Sequence, residues 1–201
     1  EKIQNIKLNM EIISEYDMVF AKSKYSQANK AVTPKLNNNG YIKIVNGKHP
    51  LLTKNVVPLN FEVGKDYRNL IITGPNAGGK TVTLKTVGLL TLMTQCGFDI
   101  CASEDTEISV FEKVFVDIGD NQSIENALST FSSHIKNIAD IMSRANNKIL
   151  VLFDEIGSGT EPNEGASLAI AILEEFYKMG CIIVASTHYG EIKKFATNHP
   201  H

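Results

Sequence analysis

Apolar positions along this chain follow two kinds of pattern. Over residues 1 to about 30, Ile3, Ile6, Met10, Ile13 and Phe20 recur at helical spacing, with Asp17 interrupting the stripe. That predicts one helix. A lone amphipathic helix cannot bury its own stripe, so this one is expected to pack on the rest of the domain or on further sequence. Pro34 and the Asn37-Asn38-Asn39-Gly40 run then mark a break.

After the break, short apolar runs alternate with helical periods. Strands are predicted at Tyr41 to Val45 and Asn69 to Thr73, near Thr106 to Val110 and Val114 to Asp117, and at Lys148 to Phe153 and Cys181 to Ser186. Helices are predicted over about Gly79 to Gln95, Thr130 to Arg144 and Pro162 to Met179, with a last one starting near Glu191. Pro162 suits a first helical turn, and Gly47-Lys48-His49-Pro50 reads as a turn. Continuous apolar strands separated by helices imply a largely parallel sheet covered on both faces.

Composition changes this picture little. The chain has 201 residues, enough for one domain plus an appendage, and 43% hydrophobic against 21% charged residues argues against disorder. Lys+Arg 20 against Asp+Glu 22 gives a net charge of -2, which argues against a strong nucleic-acid clamp in this chain alone. No apolar run reaches the roughly 18 residues of a membrane span. The chain starts at Glu1-Lys2-Ile3-Gln4, which is no signal peptide; without an initiator Met, it reads as an excised piece of a longer protein. Cys96, Cys101 and Cys181 form no metal-spaced pair, so they are expected to be buried small hydrophobes in a reducing cytoplasm.

The chemistry sits at the ends of the predicted strands. Gly74-Pro75-Asn76-Ala77-Gly78-Gly79-Lys80-Thr81 fits G-x-x-x-x-G-K-[ST] at every fixed position, between a predicted strand and a predicted helix. Glycines let successive N–H groups curl toward phosphate oxygens, and the following helix adds its positive end. Lys80 is expected to reach the β- and γ-phosphates and Thr81 to bind Mg²⁺, with the nucleotide-binding stretch running from Gly74 to Val82. The strand Ile149 to Phe153 ends in Asp154-Glu155. Two acids at an apolar strand tip are costly unless solvated, paired or on a metal. Asp154 is therefore assigned to the metal and Glu155 to the attacking water as general base. A second buried strand ends in Ser186-Thr187-His188, where His188 can donate to the γ-phosphate. Ser129 or Thr130 can cap the next predicted helix, forming a second anion-seeking helix end that suggests a site completed by another subunit.

These residues carry a family resemblance. The Gly74 to Thr81 loop is similar to the G-P-N-x-G-G-K loop of the MutS family, which belongs to the ABC-type ATPases. Asp154-Glu155-Ile156-Gly157-Ser158-Gly159-Thr160 resembles its D-E-I-G-x-G-T stretch, Ser129-Thr130-Phe131 its signature and Thr187-His188-Tyr189 its T-H-Y switch. Leu128 to His134 and Gly159 to Gly165 resemble the second bacterial MutS subfamily more than the mismatch-repair one. The resemblance implies a P-loop NTPase of the ABC ATPase type, with a mixed, mostly parallel sheet flanked by helices. Residues 1–30 would be the end of a lever helix and 31–201 the ATPase domain.

It further implies a homodimer binding ATP and Mg²⁺, in which Ser129 of one subunit faces the ATP held by Lys80 of the other. Asn76 would also approach the phosphates, and Ser158-Gly159-Thr160 would lie near the subunit boundary. In full-length members the implied targets are branched DNA, with suppression of recombination, or ribosomes. Nuclease activity belongs to a separate Smr domain. No aromatic stands in Lys54-Asn55-Val56-Val57-Pro58, where mismatch-repair members stack one on adenine. Gln122 as a γ-phosphate sensor, His49 as part of a turn, and the terminal His199-Pro200-His201 are read as solvated or structural, without a role in the chemistry.

Overall fold

The computed structural model describes residues 2–54, 56–75, 78–119 and 127–198; for 127–130, 195 and 198 it describes the backbone alone. Helix α1 (Lys2–Asn29) leads into β1 (Lys35–Asn37), β2 (Ile42–Gly47), β3 (Leu59–Val63) and β4 (Asn69–Thr73). There follow α2 (Lys80–Gln95), β5 (Glu107–Ser109), β6 (Lys113–Asp117), α3 (Ala127–Ser143), β7 (Ile149–Phe153), α4 (Pro162–Lys178), β8 (Ile182–Thr187) and α5 (Gly190–Asn198).

The apolar strands pair in parallel in the order β4-β8-β7-β6. Every residue of β7 and β8 is buried, because helices cover both faces of this sheet. The strand alternation sorts β7 into two cores. Ile149, Val151 and Phe153 pack with Ile138 and Ile141 of α3, Phe176 of α4 and Ile192 of α5. Leu150 and Leu152 point the other way, toward Leu84, Val87 and Leu90 of α2. At about 1.5–3 kcal/mol for each large apolar side chain taken out of water, these two cores carry most of the folding drive.

A single, mostly parallel sheet was expected, and the structure corrects this. A second sheet, β1-β5-β2-β3, mixes parallel and antiparallel pairs. Its inward residues Ile42, Ile44, Phe61 and Val63 share the α2 core with Leu150 and Leu152, so α2 lies between the two sheets. β2 carries a bulge between Ile44 and Gly47, with Asn46 in the left-handed region at φ 52°. A Cβ on Gly47 would stand 2.3 Å from the Ile44 side chain, so the irregular strand needs glycine there.

Local chemistry sets the helix ends. Pro162 occupies the first turn of α4, and the Glu161 carboxylate accepts from the N–H groups of Asn163 (3.0 Å) and Glu164 (3.1 Å). Gly180, at φ 73°, turns the chain out of the helix. The expected start of α3 at Thr130 is also corrected. The helix has begun by Ala127, so Ser129 and Thr130 lie inside it and are not its capping residues.

Helix α1 forms where expected but buries none of its residues, and every side chain from Lys2 to Ala21 is exposed. Its apolar stripe therefore does not pack on the described domain. Only its last turns dock. The Lys22 ammonium donates to the Cys96 carbonyl (2.6 Å) and sits 4.9 Å from the Phe98 ring centroid. The Ser26 hydroxyl donates to Asp99 (2.5 Å), and the Thr33 hydroxyl donates to its other carboxylate oxygen (2.6 Å). The cysteines also depart from expectation, since only Cys181 is buried, while Cys96 is exposed and Cys101 half-buried.

Candidate functional site: the carboxyl edge of the parallel sheet

Parallel sheets present their chemistry where the strands end, and sheet register decides which residues meet there. Thr73 pairs with Thr187, so Gly74 and His188 leave adjacent strands side by side. Phe153 pairs with Ala185 and with Asp117, which sets Asp154 between Ser186 and the end of β6.

The glycine-rich loop departs from β4 through Gly74 and turns at Pro75, whose carbonyl accepts from the Gly78 N–H (2.9 Å). Gly79, at φ 81°, then starts α2. Among the described residues, and apart from the chain neighbours, no atom lies within 4 Å of where a Cβ would project from Gly74 or Gly79. Lys80 is 4% exposed, and its ammonium donates to the Gly74 carbonyl at 2.6 Å. Val82 is exposed one residue beyond Thr81. Asn76 and Ala77 lie outside the described residues.

The acidic strand end meets this loop directly. The Thr81 hydroxyl donates to Asp154 Oδ2 at 2.6 Å, and the Ser186 hydroxyl donates to Asp154 Oδ1 at 2.5 Å. Ser186 also accepts from the Glu155 N–H (2.8 Å), so one buried hydroxyl holds two consecutive acidic residues. The Asp154 N–H donates to the Asp117 carbonyl at 2.9 Å. Glu155 adopts φ 52°, an uncommon conformation for a residue with a side chain, and its carbonyl accepts from Ser158 N–H (3.0 Å). The left-handed turn lifts Glu155 out of the strand alternation. It lines a narrow cleft together with Asp154, Phe131, His134, Gly157 and Ser158.

His188 is exposed, its ring 4.3 Å from that of Tyr189. The Tyr189 hydroxyl donates to the Gly157 carbonyl (3.1 Å), and burial followed by the negative charges of Glu155 and Glu161 pushes that phenol up. Gly157, at φ 83°, runs so close to Gly165 that a Cβ would stand 2.3 Å from the Gly165 carbonyl oxygen. Lys80, Thr81, Asp154 and Glu155 are thus brought together. Helix α3 approaches from the other side, with Phe131 Cβ 3.4 Å from the Cβ position of Gly159. The side chains of Ser129 and Thr130 lie outside the described residues, as do Gln122, His199 and His201. Two residues that sequence reasoning passed over matter here, Ser186 and Asp117. The signal for Ser186 was a hydroxyl inside an otherwise apolar buried strand end.

Residues 70–201 match the family model for MutS domain V. The chain belongs to the MutS family. The protein named Endonuclease MutS2 in Halalkalibacterium halodurans is 52% identical over 98% of this chain and 25% of its own length. Proteins of that name from Ruminiclostridium cellulolyticum and Clostridium tetani are each 54% identical, over 96% and 95% of this chain. The chain thus spans about a quarter of the length of the curated relatives it matches. MutS domain V is the ATPase domain of its family, and this chain has a mixed α/β architecture with a parallel sheet and helices. Among the described residues, no helix is long and apolar enough to cross a membrane.

Proposed function

We propose that this chain is a P-loop ATPase core of the ABC type that binds and hydrolyses Mg²⁺-ATP. The observation that carries the reading is the direct hydrogen bond between Thr81 and Asp154 beside the Lys80 loop. A hydroxyl and a carboxylate in contact at a phosphate loop suit Mg²⁺, which keeps most of its waters and needs only one or two protein groups. Thr81 and Asp154 would hold the ion. When bound, Mg²⁺ neutralises charge on the β- and γ-phosphate oxygens.

The chain's own groups do the rest. Lys80 would exchange the Gly74 carbonyl for phosphate oxygen, and the backbone from Gly74 to Val82 would bind the phosphates. Glu155 would orient a water and take its proton on a carboxylate oxygen as the water oxygen attacks the γ-phosphorus. The bond to the bridging oxygen breaks, leaving ADP and phosphate. His188, following the strand next to the phosphate loop, would donate to the γ-phosphate. Ser129 and Thr130 would complete the site of a second copy, so that two chains form composite sites.

Residues 31–201 would form the ATPase domain, and residues 1–30 would be the lever end that it moves. In the full-length protein, which would be cytoplasmic, that motion would act on branched DNA or on ribosomes; the nuclease named in the relatives would lie outside this chain. The test is Mg²⁺-dependent release of phosphate from ATP. Lys80→Ala should lose binding and turnover, whereas Glu155→Gln should bind ATP and lose turnover. ATP binding without turnover at any protein concentration would favour a nucleotide-gated interaction module instead.

A further inference from the structure

The end of β6 holds a polar junction that the chemistry above does not use. His134 Nδ1 lies 2.7 Å from Asp117 Oδ2, so an Nδ1–H donates to the carboxylate, and the Asn137 amide donates to Oδ1 at 2.8 Å. His134 and Asn137 are three apart on α3 and so share one face. The two side chains together engage both oxygens of one carboxylate, which fixes the helix along its axis and about it. The junction is largely enclosed, with the side chains of His134 and Asp117 22% and 14% exposed. A charge-assisted bond there is worth more than a solvated surface pair.

Asp117 has a second attachment. Its main-chain carbonyl accepts from the N–H of Asp154. One residue therefore holds Asp154 through its backbone and α3 through its side chain. His134 stands four to five residues, a little over one turn, beyond Ser129 and Thr130. It also lines the cleft that contains Glu155. The apolar anchors of α3, Ile138 and Ile141, lie farther along the helix.

We infer that His134 is a positioning residue for the composite site. With Asn137, it latches α3, one turn beyond Ser129 and Thr130, to the strand end that holds Asp154, so that the turn offered to a second copy keeps a fixed distance from the chain's own acidic pair. The inference rests on the proposed ATPase function and names no new reacting group. A displacement of about 1 Å in such a turn can cost on the order of a hundredfold in rate.

The test uses the full-length protein, with ATP turnover and the affinity of a fluorescent ATP analogue measured separately. His134→Ala should lower kcat about tenfold or more and leave analogue affinity within about twofold. His134→Asn, which sets an amide N–H where Nδ1 was, should recover most of the rate. His134→Gln, whose amide reaches the other ring nitrogen's position, should not. In a Ser129→Ala background, His134→Ala should add little, because both changes act on one turn. Wild-type kcat in His134→Ala, equal rates for the Asn and Gln variants, or full multiplicative losses with Ser129→Ala would each overturn the latch. Should His134→Ala not fold, the Asn and Gln pair decides. If the wild type neither binds nor hydrolyses Mg²⁺-ATP, the ATPase reading fails first and the latch falls with it; normal wild-type turnover with an unaffected His134→Ala sinks only the latch.

Discussion

The two ends of α2 meet opposite fates. At its amino end stands a glycine-rich loop, with no described residue beside the Cβ positions of Gly74 and Gly79 and with the buried Lys80 ammonium donating to the Gly74 carbonyl. At its carboxyl end the following turn is occupied by the chain itself. Lys22 takes the Cys96 carbonyl, Ser26 and Thr33 take Asp99, and Val32 and Ile100 exchange backbone hydrogen bonds of 2.9 Å. Between them, Leu84, Val87 and Leu90 lock the helix between two sheets. In the proposed reading the first end receives an anion that comes and goes, whereas the second is a joint that the chain makes with itself. A closely packed helix links the two, and packed interiors transmit displacement instead of absorbing it.

The largest expected effect removes one end alone. Lys80→Ala should weaken Mg²⁺-ATP binding by about two orders of magnitude, the scale of a lost preorganised charge donor. Amide exchange at Val32 and Ile100 should stay as in the wild type. Faster exchange there would mean that the ends are not separable.

Next comes the rod itself. A Cβ on Gly88 would stand 2.7 Å from Leu152 Cδ1, so α2 touches β7 at its closest approach. Gly88→Val should cost about 1–3 kcal/mol by overpacking, read as a lowered denaturation midpoint. An unchanged midpoint would show that Leu152 simply moves aside.

Asp99→Ala breaks the other end. Losing two hydroxyl donors to a half-buried carboxylate should cost about 1 kcal/mol, seen as faster exchange at Val32 and Ile100 with nucleotide affinity unchanged. The smallest effect is acid titration of the same joint. Hydrogen bonds from Ser26 and then Thr33 hold the Asp99 carboxyl below its ordinary value, against an opposing effect of burial. A depressed carboxylate stabilises the fold above its unfolded value of about 3.9 and loses that contribution as pH falls through its lower folded value. Protection at Val32 should therefore fade below about pH 4 in the wild type and show no such step in Asp99→Ala.

The same contrast explains what was legible in the sequence. The amino end of α2 announced itself, because phosphate chemistry demands particular residue types at fixed spacing. The parallel strands were legible as unbroken apolar runs, β7 above all. The joint was silent, since Lys22, Ser26, Thr33 and Asp99 lie up to 77 positions apart and none is unusual in its own segment. β1 is three residues long and carries little pattern. β3 reads Leu59-Asn60-Phe61-Glu62-Val63, a clean alternation that could have been recognised, and the second sheet with it. The start of α3 was placed late because hydroxyls at Ser129 and Thr130 suit a cap, yet the helix had already begun. Asp117 looked like an ordinary strand exit, and only the pairing of β6 with β7 shows that it holds Asp154.

The exposed run of α1 has a geometric consequence. The helix has 28 residues, and at 1.5 Å per residue it is about 42 Å long. Its grip on the domain is confined to the last two turns, from Lys22 onward. The stretch before that grip spans about 30 Å, so a tilt of about 10° at the joint would sweep the free tip through about 5 Å. A sub-ångström adjustment at the base is thus magnified severalfold at the tip, as a short pointer movement is magnified along the arm of a balance.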